Sequence, residues 1–422
     1  MHHVNEKARE LNQSPDLDRM VDPNEARAMV LAHCRRLPVE AVAITEAAGR
    51  ILAEPLLSSE DHPPFAAATM DGYAVVAADP SPWREVIGVQ TAGFVLAVEV
   101  TEGYAVRITT GAPMPPGADA VVPVENTELA DDHVVITQDL VRVGENVRHI
   151  GSDIARGAEV LPVGVQLGPA EIGLIAGLGA VPVPVRRAPR VAVLSTGDEL
   201  AEPDDPVAPG QIRDSNRFSL VTALQDAGAE VTWSGKAPDS YEQLEALLRR
   251  LTASCDVVVT SGGVSMGELD LVKPLLASLG DVKFRRVFLK PGKPMTFATV
   301  GDAIVFGLPG NPVSALVSFE MFIRPALRTM MGAREIDRPR VPVVLREPAM
   351  PSDRIELQRA TIVVDPSGRL MAVPTGSQAS SRLASFVGAN AFLVIAPRQT
   401  PYTAGETVEA MLLAAPIAEA SR

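Results

Sequence analysis

The fold class the sequence predicts is multidomain α/β plus β, built on a doubly wound, mostly parallel sheet with smaller β regions beside it. Three observations carry this. Val-rich runs alternate with helical stripes between residues 190 and 327. The stretches 75–148 and 338–422 instead read as short strands separated by turns. The chain has 422 residues, too many for one ordinary core. Hydrophobic residues at 46% supply material for several cores, while 36 Pro and 32 Gly indicate many turns.

In chain order, residues 23–36 have helical spacing in Ala26, Met29, Val30 and His33, and 39–53 reads as a second helical stretch. Asp61-His62-Pro63-Pro64-Phe65 breaks the pattern, and Asp71-Gly72 forms a turn into Tyr73-Ala74-Val75. Strands are expected at 85–89, 104–110, 120–124 and 133–136. Thr110-Gly111-Ala112-Pro113 closes one of them, and Asp153 follows in Arg148-His149-Ile150-Gly151-Ser152-Asp153. Turn chemistry alone accounts for these residues locally.

Beyond the Pro-rich 182–189, strands are expected at 191–194, 230–233, 256–260, 282–287 and 303–306. Leu244, Leu247, Leu248 and Leu251 form one helical stripe, and Leu316, Phe319, Ile323, Ala326 and Leu327 form another. In such a sheet the loops after the strands share one crevice. The polar loops fall there: Thr196-Gly197-Asp198-Glu199, Lys236-Ala237-Pro238-Asp239, 261–270, Lys290-Pro291-Gly292-Lys293-Pro294 and 307–314. Turns expected at the opposite edge, Ala227-Gly228-Ala229 and Leu279-Gly280, are plain. From about residue 338 the chain reads as a small β domain carrying Arg359 and the polar turn 374–382.

The loop 261–270 follows Asp256-Val257-Val258-Val259, and its glycines let backbone N–H groups approach an anion. Glu199, Asp239 and Asp270 would bring negative charge into the crevice, which a hard cation such as Mg²⁺ would neutralise. Each also has an ordinary reading: Asp198 and Glu199 as helix caps, Asp239 within the capping box Asp239-Ser240-Tyr241-Glu242, Asp270 as a helix-dipole partner. Lys290 and Lys293 flank a stiff Pro-Gly turn beside a helix beginning at Asn311-Pro312, a site for a phosphate or phosphoanhydride.

The formal net charge of −14 argues against a general nucleic-acid binder. Cys34 and Cys255 lack metal or disulfide spacing and read as reduced core thiols. None of the six histidines falls in the polar loops, and neither G-x-G-x-x-G nor a P-loop occurs, so a histidine-ligated zinc and NAD or P-loop nucleotide sites are not expected. The first residues lack a signal-peptide core and no run reaches membrane-span length, so a cytoplasmic protein without a membrane partner is expected.

Together Thr69 to Val75, Thr110 to Pro113, Gly151 to Ile154, Ser195 to Leu200, Ser261 to Gly267, Lys290 to Pro294 and Gly307 to Ser314 resemble the molybdopterin molybdenumtransferases of the MoeA type, also seen as the E domain of gephyrin. The resemblance spans nearly the whole chain. It implies insertion of molybdate, the co-substrate, into adenylylated molybdopterin with Mg²⁺ assistance and release of AMP. It places Asp71, Thr110, Asp153, Glu199, Asp239 and Asp270 in catalysis and metal binding, some from the second subunit of a homodimer, with Glu199, Asp239 and Asp270 as metal ligands. Ser261, Gly262, Gly263, Ser265, Lys290, Lys293, Pro294, Pro309, Asn311, Ser314, Arg359 and Ser380 would hold the pterin nucleotide and the oxyanion.

The family also implies a segmented scaffold (1–60 and 147–185), an inserted β domain (61–146), a MogA-like molybdopterin-binding α/β domain (186–335) and a C-terminal β barrel (336–422). A molybdopterin adenylyltransferase is a conceivable protein partner. Glu268 and Leu269 depart from the residues common at their positions, and 377–382 varies among relatives. An adenylyltransferase activity, a non-catalytic scaffold and tungstate use remain open alternatives.

Overall fold

The computed structural model describes residues 17, 19–237, 240–262 and 271–419. Its central sheet has six strands in the order Glu230–Lys236, Arg190–Ser195, Val257–Ser261, Ala303–Leu308, Pro294–Val300, Asp281–Arg286. The first four run parallel. Alternate residues enter different cores: Val191, Val193, Val257, Val259 and Phe306 pack in one cluster, Ala192, Leu194, Val258, Ala298 and Val305 in another. Both faces are therefore covered, which is why these strands read as continuous Val-rich runs rather than alternating ones.

One strand escaped the sequence reading. Pro294–Val300 lies between Ala303–Leu308 and Asp281–Arg286 and is antiparallel to both. Its connection to the next strand is the two-residue turn Gly301-Asp302, with Gly301 at φ 59°, which makes an antiparallel hairpin. Register pairs Arg286 with Pro294 and Gly307 with Thr296, so the strand begins at the edge where its neighbours end. The Lys290 to Pro294 turn thus reaches the edge shared by the C-termini of the parallel strands.

The helix Tyr241–Ser254 buries Leu244, Leu248 and Leu251 against the second core, with Leu247 partly buried beside them. Its N-cap is Ser240, whose hydroxyl accepts from Gln243 N at 3.3 Å. The cap is thus Ser240, while Asp239, read from the sequence as the cap, lies outside the described residues. The stripe after the last strand is not one regular helix. Pro312–Ser318 and Arg324–Met330 are joined by the π-helical turn Phe319–Ile323, and Phe319, Ile323, Ala326 and Leu327 remain buried.

Near the start, Pro23–Ala32 is helical with Asp22 accepting from Asn24 N and Glu25 N, but the helix ends before residue 36. The second helical stretch expected at 39–53 is absent. Val39–Val42 is a strand paired antiparallel with Val183–Arg186, and only the 3₁₀ turn Ile44–Glu46 is helical. Helical spacing there is overridden by a strand partner about 140 residues away, which no local pattern reveals. The helix Pro169–Gly177, with Pro at its first position, was also not foreseen.

Between these flanks, Ala120–Pro123, Gly72–Val75, Tyr104–Ile108, Trp83–Gln90, His133–Ile136 and Thr127–Ala130 form a six-stranded sheet in that order. At the other end of the chain, Ile355–Val364, Leu370–Pro374, Arg340–Leu345, Thr407–Leu412 and Ala391–Ile395 close a five-stranded barrel. The ring closes because Ile355–Val364 pairs with both Leu370–Pro374 and Ala391–Ile395. Leu289–Lys290 adds a short parallel extension to the barrel at Ile355–Glu356.

Candidate active site in two groups

The first group lies where three distant stretches meet. Ala67–Ala68 pairs with Val147–Arg148, and Ala68 exchanges backbone hydrogen bonds with Gly111 and Ala112. Thr110 then donates twice to Asp71 Oδ1, from its backbone N at 2.7 Å and its hydroxyl at 2.9 Å. These bonds, the backbone one first, hold the exposed Asp71 carboxyl below its ordinary 3.8. Asp153 is ion-paired with Arg148. Asp71, Thr110 and Asp153 are therefore brought into one region, and the polar partners of Asp71 and Asp153 belong to it.

The second group occupies the C-terminal edge of the central sheet. Ser261 is buried, and its carbonyl accepts from Thr196 N at 2.9 Å. Gly262 has φ 83°, and a Cβ there would stand 2.6 Å from the Thr196 carbonyl oxygen, so glycine is required by both conformation and space. Asn216 links the loops: its amide donates to Ser261 Oγ and to the Gly310 carbonyl, each at 2.8 Å. Among the described residues, its buried Oδ1 has no hydrogen-bond partner. Asn216 was missed in the sequence, because an Asn at a helix start ordinarily reads as a cap; here the side chain points across to two other loops instead.

Side-chain capping is likewise absent at the last loop. Asn311 stands at the N-cap of Pro312–Ser318, but its amide donates to Ser380 Oγ at 3.1 Å, and Ser380 O accepts from Val313 N at 3.1 Å. The barrel turn is thereby docked on the start of this helix, bringing Ser380 against Asn311 and Val313. A Cβ on Gly292 would stand 3.1 Å from Ser318 Oγ and 3.9 Å from the Ser314 carbonyl oxygen, so the lysine turn closes over the same helix. Lys293 is exposed, Pro294 half-buried, and Lys290 Nζ lies 3.2 Å from Glu356 Oε2.

Arg359 takes a different place from the one expected. Its side chain is fully buried and donates to Ser385 Oγ and to the carbonyls of Ser377, Gln378 and Ala379. It shapes the turn that carries Ser380, with its donors spent on that turn. Glu199 is exposed, and among the described residues its carboxylate has no hydrogen-bond or ion-pair partner. No helix starts directly after it, since Leu200–Ala201 is a short strand, so it is not a cap. Gly263, Ser265, Asp239 and Asp270 lie outside the described residues.

Burial pushes the Cys34 thiol up to about 12, keeping it protonated. A cavity of about 580 Å³ lined by Ala48, Gly49, Gln166, Leu167 and Ile172 contains none of the expected site residues. No described helix is long and apolar enough to cross a membrane.

Comparison with known proteins identifies the family and the fold. The models described as MoeA N-terminal region (domain I and II), probable molybdopterin binding domain, and MoeA C-terminal region (domain IV) match residues 21–179, 192–329 and 343–413. The molybdopterin molybdenumtransferase of Haemophilus influenzae is 36% identical, over 92% of this chain and 98% of its own length. Gephyrin of Dictyostelium discoideum is 37% identical over 93% of this chain, which spans 62% of gephyrin's length. The solved molybdopterin biosynthesis MoeA protein of Pyrococcus horikosii superposes with a TM-score of 0.81 at 32% identity, covering 94% of this chain and 100% of that one.

Proposed function

The chain belongs to the molybdopterin molybdenumtransferase (MoeA) family, and from that premise we propose that it inserts molybdate into adenylylated molybdopterin, releasing AMP and yielding molybdenum cofactor. The observation that carries this reading is the convergence at the sheet edge. Ser261 is tied to Gly310 through Asn216 and Gly262 donates its N–H to the Leu308 carbonyl, while the barrel delivers Ser380 to Asn311 beside them. A pterin nucleotide would meet backbone N–H groups, hydroxyls and two lysines there, which suits its phosphates and an entering oxyanion.

In this reading Lys290 and Lys293 attract and orient the anions, and Ser314 and Ser380 offer hydroxyl donors. The Gly-rich turn at Gly262 lets the backbone approach the phosphoanhydride. Glu199, with Asp239 and Asp270, would hold Mg²⁺; its fit rests on the exposed Glu199 carboxylate having no protein counter-ion among the described residues. When bound, the ion supplies charge neutralisation to the phosphoanhydride. Asp71, Thr110 and Asp153 complete the machinery. Their partners lie in their own region, so the two groups combine most simply when the first group of one subunit faces the second group of another in a homodimer. An adenylyltransferase would supply the activated substrate, in the cytoplasm. The four-part division at 60, 146, 185 and 335 belongs to the same proposal, supported by each sheet closing largely within its own segment.

The test is incubation of purified protein with adenylylated molybdopterin, Mg²⁺ and either molybdate or tungstate, following AMP release and formation of active cofactor. Oxyanion-dependent release is expected. Tight binding without release would favour a non-catalytic scaffold instead.

A further inference from the structure

Lys290 is paired, through strand register, with a residue of the barrel. Leu289–Lys290 runs parallel to Ile355–Glu356 with Lys290 opposite Glu356, and Nζ stands 3.2 Å from Glu356 Oε2. The pair is asymmetric: the lysine side chain is 44% exposed and the glutamate 5%. Oε2 is buried and, among the described residues, accepts no hydrogen bond, so the attraction is one of charge rather than of directed donors. A carboxylate so withdrawn from water requires a nearby cation. It cannot move out to solvent, whereas the ammonium reaches the open side. Lys290 therefore has its position fixed from behind while its N–H groups remain available in front.

The surroundings reinforce this arrangement. Arg359, three residues along the same strand, feels the field of Glu356, while its own donors are committed to the Ser377–Ala379 carbonyls and Ser385. On the exposed side Asp353 feels the charge of Lys290 but is paired with Arg354. Among the described residues Glu356 is thus the one buried carboxylate against Lys290, and it belongs to the strand that also anchors the turn carrying Ser380.

We infer that Glu356 is a positioning residue: its buried carboxylate holds Lys290 at the mouth of the site with donors free for the oxyanion, and so couples the C-terminal barrel to anion binding. This rests on the proposed placement of Lys290 against the oxyanion. Glu356 does not touch the substrate and acts through Lys290 alone.

The experiment is a double-mutant cycle on molybdate and tungstate affinity, measured by calorimetry with adenylylated molybdopterin and without Mg²⁺ so that no turnover occurs, with KM and kcat from AMP release in the presence of Mg²⁺ alongside. Glu356→Gln is expected to weaken oxyanion binding about tenfold, the scale of one displaced charge-assisted donor, and to raise KM for the oxyanion with little change in kcat. Because Glu356 acts through Lys290, adding Glu356→Gln to Lys290→Met should cause no further loss. Wild-type affinity in a folded Glu356→Gln, or losses that multiply in the double variant, would overturn the inference. If Glu356→Gln does not fold, the Lys290→Met background still decides it: the double variant lacks both buried-pair charges and is expected to fold, so any further loss there refutes the coupling. Wild-type protein that neither binds the oxyanion nor releases AMP would defeat the transferase reading and this inference with it. Normal wild-type activity with an additive cycle would defeat Glu356 alone.

Discussion

At the scale of single residues, the Asp71–Thr110 contact has a readable titration. Both Thr110 donors favour the charged carboxylate, so the folded-state pKa lies below 3.8. The contribution is fully present above the unfolded value and is lost as pH falls through the lowered folded value. Thr110→Val removes the hydroxyl but keeps the backbone donor. Its expected effect is a partial rise of the Asp71 pKa toward 3.8, followed by the carboxyl ¹³C shift in an NMR titration. An unmoved pKa would show that the hydroxyl does not bond Asp71 in solution. For the lysines, the turn holding Lys290 and Lys293 was legible in the sequence, but the buried counter-ion of Lys290 was not, because Glu356 is about 65 residues away and nothing local marks it.

At the scale of elements, the sheet-edge loops depend on backbone shapes that one methyl group would disturb. Gly262 sits at φ 83° with the Thr196 carbonyl in the way of any Cβ. Gly262→Ala is expected to destabilise the protein by about 1–3 kcal/mol and to weaken pterin-nucleotide binding. Urea unfolding and substrate titration check the two parts, and wild-type values in both would mean the loop relaxes without cost. The π-helical turn Phe319–Ile323 illustrates a different limit. A stripe at helical spacing identifies the buried face correctly, yet spacing cannot show where one extra residue widens a turn.

At the scale of the whole molecule, the two site groups belong to different parts of the chain, and the homodimer reading makes a sharp prediction. Asp71→Asn and Glu199→Gln should each be nearly inactive, with thermal stability close to wild type because both carboxylates are exposed. Mixed, with subunits allowed to exchange, they should regain up to about a quarter of the activity, since statistical exchange forms half heterodimers, each with one intact site. AMP release before and after exchange measures this. No recovery despite heterodimer formation would place both groups in one subunit.

The sequence by itself determined the fold class, most central strands, the amphipathic helix Tyr241–Ser254 and the loops that carry polar chemistry, because these follow from local period and from the polarity of strand ends. The overlap of Gly-rich and Lys-Pro-Gly-Lys motifs at one edge was legible for the same reason. Only the tertiary structure decided the rest. Val39–Val42 became a strand because its partner lies beyond an inserted domain, and Pro294–Val300 entered the sheet antiparallel because a two-residue turn reverses it. Asn216, Arg359 and Glu356 acquired their roles from groups remote in the chain. Local sequence fixes period and turn chemistry, but a buried polar side chain takes its meaning from the partner that folding places against it.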